Sequence, residues 1–177
     1  MKHALRCVLA AAAIIPIACL AASPYAGEQS RSIKSLSQQE TADYLGGKGM
    51  GFAKAAELNG YPGPAHVLEM ADKLALSPTQ KARTEEVFDK MQLRARELGA
   101  RLIDAEKKLD ESFASKTVSR ESVAASVNSI AALQGQIRAT HLQAHLEQNA
   151  ILTPAQIAEY WRLRGYANAD SPHHHHH

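Results

Sequence analysis

The feature that most constrains the fold is the recurrence of apolar residues at intervals of three and four along two long stretches of the chain. This spacing places apolar side chains on one helix face, as a seam that must pack against a partner helix. The first stretch begins at Pro78 and extends to about Phe113, and the second begins at Ser119 and extends to about Asn149. Because only residues 114–118 separate them, the sequence predicts an all-α fold built on a long antiparallel helical hairpin.

Such a hairpin has a thin core, because two helices alone cannot enclose their apolar faces. We therefore expect part of the seam to face a second copy of the chain, in a homodimer, or an unfolded client protein. The residues assigned to this client or dimer surface are Met91, Leu98, Leu102, Leu109, Val127, Ile130 and Ile137.

Two helix starts share one local device, a capping box with proline at the first helical position. In the first, Ser77 can accept a hydrogen bond from the Gln80 backbone while the Gln80 side chain reaches back to the cap. Thr153 and Gln156 repeat this arrangement before the last helix. The pattern predicts short helices flanking the base of the hairpin, over residues 64–74 and 154–165.

Residues 1–26 have the organisation of an export signal. Lys2 and Arg6 precede an uncharged, mostly apolar run over residues 7–22, and small residues follow. The run is shorter than the roughly 20 residues that a membrane-spanning helix needs. We therefore predict export to the periplasm with cleavage, with an uncleaved anchor or a lipoprotein modified at Cys19 as alternatives.

Charge and cysteine content exclude several functions for the exported part. The chain has 20 basic and 18 acidic residues, and the signal contains two of the basic ones and no acid, so removing it leaves no net charge. A nucleic-acid binder needs a basic face, which this composition does not supply. Both cysteines lie in the signal, so no disulfide or thiolate ligand remains. No nucleophile pattern or secluded carboxylate pair indicates an enzyme.

The rest of the chain divides by composition. Residues 27–63 are rich in Gly, Ser and Gln and are predicted to form a flexible arm, and residues 64–166 form the hairpin domain. The glycine-rich run at 46–51 is no phosphate loop, because no strand precedes it and the Lys-Ser/Thr ending is missing. Residues 167–177 are a tail ending in five histidines, interpreted as an expression tag, with a native metal-binding tail as the alternative.

Three histidines outside the signal and tail fall in two i,i+4 pairs, His66 with Met70 and His141 with His145. Residues four apart share one helix face, so each pair can present both side chains to one ion. Because the hairpin brings the chain back to its starting end, both pairs are predicted near its base. Imidazole and thioether ligands suit Cu, Ni, Co or Zn ions, including Cu(I), better than magnesium or calcium.

Two carboxylates, Glu69 and Glu147, are further candidates as ligands or as groups that orient an imidazole. The H-E-x-x-H motif of metalloproteases is absent, which argues against a catalytic metal. A purely structural interpretation stays open. His141 continues the apolar seam and can be a packing residue, Met70 can fill a gap between helices, and His66 can be exposed.

The two capping boxes lie within paired LTxxQ motifs, Leu76-Ser77-Pro78-Thr79-Gln80 and Leu152-Thr153-Pro154-Ala155-Gln156. On these motifs the chain resembles the Spy/CpxP-like periplasmic family over about residues 62–166. The resemblance implies a helical hairpin and one of several roles. Spy-like members are dimeric, ATP-independent chaperones, CpxP-like members restrain a membrane-bound stress sensor, and ZraP-like and CnrX-like members bind metal ions in heavy-metal resistance.

Two functions follow as hypotheses. The first is a periplasmic metal-binding protein of heavy-metal sensing, resistance or envelope-stress response, acting on a membrane-bound signalling protein. The second is a Spy-like holding chaperone for unfolded periplasmic clients. The histidines favour the first, and the thin amphipathic hairpin favours the second.

Overall fold

The structure, a computed structural model, describes residues 23–166. Of the predicted export signal only residues 23–26 are described, and the predicted histidine tail lies outside the described residues. Residues 23–30 belong to a separate unit, in which a single 3-10 turn spans Glu28–Ser30. No helix within the described residues is both long enough and apolar enough to cross a bilayer.

From residue 31 to residue 166 the described chain is helical, with no strand. Its helices are α1 (Gln38–Gly46), α2 (Lys54–Glu57), α3 (Pro64–Glu69), α4 (Pro78–Ala114), α5 (Arg120–Asn149) and α6 (Pro154–Leu163). Helices α4 and α5 pack together as the predicted hairpin, which confirms the all-α class. Helix α3 is shorter than predicted, because the backbone leaves helical geometry at Met70, where φ is −111°.

Side-chain caps explain where α4 and α6 begin. Ser77 accepts a hydrogen bond from the Gln80 amide at 3.2 Å, and the Ser77 amide donates to the Gln80 side chain at 3.0 Å. Thr153 and Gln156 form the same reciprocal pair at the start of α6. These boxes satisfy amides that have no partner within their own helix, so the predicted helix starts are confirmed.

The core of the hairpin lies along the predicted seam. It is covered by α1 of the same chain and not, as predicted, by a second copy or a client protein. Leu98, Leu102, Ile130 and Ile137, assigned to a client or dimer surface, are buried in one cluster with Tyr44 of α1. Leu109 packs against this cluster, and Met91 is partly buried. Among the assigned residues only Val127 is largely exposed. The prediction of a client or dimer surface is therefore wrong for the four buried residues, which pack inside the chain itself.

Helix α1 covers the seam because Gly99 lets it approach α4 closely. A Cβ at position 99 would collide with the Tyr44 carbonyl group and lie 2.8 Å from its carbon. Ser37 caps α1 through a reciprocal box with Glu40, with bonds of 3.1 and 2.8 Å. The prediction of a flexible arm is therefore wrong for residues 31–63, which form helices and turns packed on the hairpin.

The two LTxxQ motifs meet at the base of the hairpin in an arrangement that we call the glutamine clasp, formed by Gln80 and Gln156. The Gln80 side-chain amide donates to the Ile151 carbonyl at 3.0 Å, and the Gln156 amide donates to the Leu74 carbonyl at 3.1 Å. The two side chains also bond to each other, at 2.8 and 3.1 Å. A second apolar cluster beside the clasp contains Val67, Leu74, Leu152 and Tyr160.

Candidate metal centre

A cavity of about 610 Å³ lies at the base of the hairpin and contains all three predicted histidines in its lining. Its wall is formed by the glycine-rich loop at 47–51, by α2 and α3, and by facing parts of α4 and α5. His66 comes from the start of α3, whereas His141 and His145 come from consecutive turns of α5. The hairpin topology therefore places His66 at the same cavity as two histidines that lie about 75 residues further along the chain.

His141 is the most buried of the three histidines, with 3% of its surface exposed. Its Nε2 atom is buried and has no hydrogen-bond partner. The ring stacks on Phe52, with centroids 6.2 Å apart and planes 15° from parallel. Burial, and after it the charge of neighbouring His145, lowers the pKa of His141 below its usual range. The ring is thus neutral at neutral pH and keeps an unprotonated nitrogen.

His145 is held in a defined tautomer by the backbone. Its Nδ1 atom lies 2.8 Å from the Tyr61 carbonyl oxygen, and because a carbonyl only accepts, Nδ1 carries the hydrogen. In the neutral ring Nε2 then carries a free lone pair. The imidazole lies directly against Gly63, where a Cβ would be 2.9 Å from Cε1 and 3.0 Å from Nε2. Glycine at position 63 therefore makes room for the ring.

His66 is oriented by Glu69 on the same helix. Its Nδ1 atom lies 2.9 Å from a Glu69 carboxylate oxygen, so Nδ1 donates and Nε2 is left without this constraint. The His66 side chain is 41% exposed, unlike the two histidines of α5. Glu69, predicted either as a ligand or as an orienting group, contacts the imidazole as an orienting group does.

A half-buried carboxylate that the sequence did not single out, Glu57, also lines the cavity. It accepts hydrogen bonds from the hydroxyls of Tyr160, at 2.7 and 2.9 Å, and Tyr166, at 3.1 Å, and from Arg164 Nε at 3.1 Å. Burial, and then the bond to Glu57, raises the pKa of Tyr160 above its usual range, so that hydroxyl stays a donor. Nothing local in the sequence indicates this role, because the partners lie about a hundred residues away.

The remaining predicted ligands lie elsewhere. Met70 is partly buried and packs against the second apolar cluster. Glu147 lines two other clefts, one that includes Gln143 and one that includes Arg83, and neither is lined by a histidine. By contrast, Met50 of the glycine-rich loop and Met91 of α4 line the histidine cavity. Sequence reasoning did not select Met50, because its loop lacks any helical spacing relative to the histidines.

Within residues 23–166, no three His, Asp or Glu side chains stand close enough to hold one ion together. What the arrangement offers is a pair of imidazoles on one face of α5, at the i,i+4 spacing that suits two ligands of one ion. One of them has a backbone partner on its other nitrogen, as metal-binding histidines usually do. The donor set therefore fits a transition metal ion, with further ligands drawn from other side chains of the cavity.

Comparison with known proteins gives one match. A family model described as heavy-metal resistance matches residues 46–159, a span that contains all three histidines and both LTxxQ motifs. The family includes LTxxQ proteins of the CnrX, ZraP and Spy kinds. Neither a search of curated proteins nor a search of solved structures gave a match.

Proposed function

This chain belongs to the heavy-metal resistance family, and we propose that it binds a transition metal ion through His141 and His145 in the cavity at the hairpin base. In this proposal the protein acts in the periplasm, in heavy-metal sensing or resistance, and binds metal without catalysing a reaction. The family membership confirms the resemblance drawn from the paired LTxxQ motifs. It also favours the metal-binding hypothesis over other uses of a helical hairpin.

The observation that carries the proposal is the buried, unpartnered Nε2 of His141. Leaving a buried polar atom without a partner costs about 1–3 kcal/mol, so such atoms are rare unless something satisfies them. The lowered pKa of His141 keeps its ring unprotonated, which is the form that binds metal. An ion in the cavity would supply the partner that this nitrogen lacks.

His145 supports the same site from the next turn of α5. Its Nδ1–H bond to the Tyr61 carbonyl fixes the ring and leaves Nε2 as the free nitrogen. Partners of this kind raise the basicity of an imidazole and set its orientation toward an ion. His66, oriented by Glu69, lines the same cavity, but it does not converge with these two imidazoles on one point, so the proposed ligands are His141 and His145.

The partners of the protein follow from this role as proposals. The resemblance implies dimers for Spy-like members and a membrane-bound sensor as the partner of CpxP-like members, so we propose a homodimer and a membrane-bound signalling partner for this chain. The alternative of a Spy-like holding chaperone stays a prediction from the amphipathic hairpin.

The test is a calorimetric titration of the chain without its five terminal histidines, with Ni(II) and Zn(II) in turn. We expect the double variant His141→Leu/His145→Gln to lower the affinity by about 100-fold or more, because it removes both imidazoles. The matched control is Gln143→Leu/Glu147→Gln, which has the same spacing on the same helix but lines a cleft without histidine. Equal affinities in wild type and the histidine variant, both folded by circular dichroism, would refute the proposal.

A further inference from the structure

The sulfur atoms of the described chain are distributed unevenly around the histidine cavity. Residues 23–166 contain three methionines, Met50, Met70 and Met91, and no cysteine. Two of the three, Met50 and Met91, line the same cavity as His141 and His145. They come from different elements, the glycine-rich loop and α4, so their meeting at the cavity results from the tertiary fold rather than from a local repeat.

The loop that carries Met50 is fixed to the hairpin near the cavity. Gly47 packs on α4, where a Cβ would lie 3.0 Å from the Gln92 carbonyl oxygen. Arg96 Nε donates to the Gly46 carbonyl at 3.3 Å. Met50 itself has φ of 44°, a left-handed conformation that side chains other than glycine and asparagine seldom adopt. The contacts of Gly46 and Gly47 with α4 therefore hold the loop where Met50 lines the cavity.

Met91 reaches the cavity from α4, at the end of the apolar seam that is nearer the base of the hairpin. It also lines the groove between α4 and α5, so its flexible thioether lies where cavity and groove adjoin. A thioether serves both as apolar packing and as a soft ligand. Met91 can therefore line an apolar wall and still offer sulfur to an ion beside His141.

The carboxylates that line the cavity, Glu57 and Glu69, already accept hydrogen bonds from protein groups. The Glu57 carboxylate accepts bonds from two tyrosine hydroxyls and from Arg164. The Glu69 carboxylate holds His66. No three His, Asp or Glu side chains of the described region converge on one point, so a divalent ion that requires four or more nitrogen and oxygen ligands is poorly served.

We propose that the cavity selects a soft monovalent ion, Cu(I) or Ag(I), bound by the imidazoles of His141 and His145 and the thioethers of Met50 and Met91. Thioether and imidazole are the protein ligands that together favour Cu(I) over harder ions, and Ag(I) shares its softness. The inference rests on the proposed function, because it uses the same two histidines, and it adds the class of ion and the sulfur ligands.

The experiment compares Ag(I), which undergoes no redox change in buffer, with Ni(II) and Zn(II) in chloride-free titrations of the chain without its five terminal histidines. The variant Met50→Leu/Met91→Leu keeps the side-chain volume while removing both sulfurs. The matched control is Met70→Leu, which removes the methionine packed outside the cavity.

We expect the wild-type chain to bind Ag(I) at least about 100-fold more tightly than either divalent ion. Met50→Leu/Met91→Leu should weaken Ag(I) binding by about tenfold or more and leave Ni(II) and Zn(II) binding unchanged, because sulfur is removed and the imidazoles stay. Met70→Leu should bind all three ions as wild type does. If the double variant loses its fold, Met50→Leu alone, in an exposed loop, tests the same point.

Unchanged Ag(I) affinity in the folded methionine variants, or tighter binding of Ni(II) or Zn(II) than of Ag(I), would overturn this inference. The histidine variant separates this failure from failure of the proposed function. If His141→Leu/His145→Gln abolishes divalent binding while the methionine variants change nothing, only the choice of ion is wrong. If the histidine variant binds every ion as wild type does, the metal site itself is wrong.

Discussion

His141 connects the packing of the protein with its proposed chemistry. Its ring stacks on Phe52 and is almost fully buried, so protonation would place a charge in an apolar environment. The pKa of His141 is consequently lowered from the ordinary value of 6.5 by burial, and further by His145. In the unfolded chain the same residue titrates near that ordinary value. The folded state therefore takes up fewer protons than the unfolded chain below about pH 6.5.

We predict that the free energy of unfolding decreases as the pH falls from about 7.5 to about 5.5, because protonation of His141 favours the unfolded chain. The variant His141→Leu should lose most of this pH dependence, since leucine has no proton to take up. Urea denaturation of the metal-free chain at the two pH values measures it. Gln143→Leu is the control and should keep the wild-type dependence, because position 143 lies on the same helix, is exposed and carries no titratable group. An equal drop in His141→Leu and wild type would contradict this assignment.

At the scale of elements, α1 packs so closely on α4 that glycine at position 99 decides the contact. A helix interior normally gains about 1 kcal/mol when glycine becomes alanine. At position 99, however, the new Cβ would collide with the Tyr44 carbonyl, which is rigid backbone. Relief requires α1 to move away from α4, which would expose Tyr44 and part of the core cluster.

We therefore predict that Gly99→Ala destabilises the protein by about 1–3 kcal/mol, because steric overlap outweighs the gain in helix propensity. Gly135→Ala is the matched control, since position 135 lies within α5 and a Cβ there has no neighbour within 4 Å. That control should stabilise the protein by about 0.5–1 kcal/mol. Thermal unfolding of both variants measures the two shifts, and shifts of the same sign would argue against the close approach.

The elements differ in how far the sequence predicts them. The starts of α4 and α6 follow from capping boxes with proline, a signal contained in four adjacent residues. The start of α1 carries a capping box without the proline, Ser37 followed three residues later by Glu40, and the Ser- and Gln-rich composition around it predicted a flexible arm. Composition was misleading there because α1 is held by contacts that are distant in sequence. Its buried residue, Tyr44, packs against Gly99 of α4.

The candidate site shows the same limit. Helical spacing and the hairpin topology predicted that His66 and the histidines of α5 lie at the same end of the hairpin, and all three line one cavity there. The roles of Glu57 and Met50 depend on where a short helix and an irregular loop dock, and neither has a periodic signal. Met70, at perfect i,i+4 spacing from His66, instead packs into the second apolar cluster, because α3 ends immediately before it.

At the scale of the whole molecule, contacts between the two LTxxQ motifs hold the base of the hairpin together. Each glutamine of the clasp completes a capping box on its own helix and also bonds to a backbone carbonyl near the other motif. Residues Leu74 and Leu152, beside these carbonyls, pack with Tyr160, which in turn bonds to Glu57 at the cavity. The paired motifs thus join the segment before α4, the end of α5 and α6 into the frame that holds the candidate site.

We predict that Gln80 and Gln156 stabilise the protein jointly rather than independently. Each single change to alanine should cost about 1–3 kcal/mol, because it leaves partly buried carbonyl and amide groups unpaired. The double variant should cost less than the sum of the two by about 0.5–3 kcal/mol, since the second change removes a clasp already broken. Urea denaturation of the four proteins gives the coupling energy.

Pairing Gln80→Ala with Ser119→Ala, a cap at the far end of the hairpin, should instead be additive within about 0.5 kcal/mol. Additivity in the clasp pair as well would mean that the two motifs cap their own helices and nothing more.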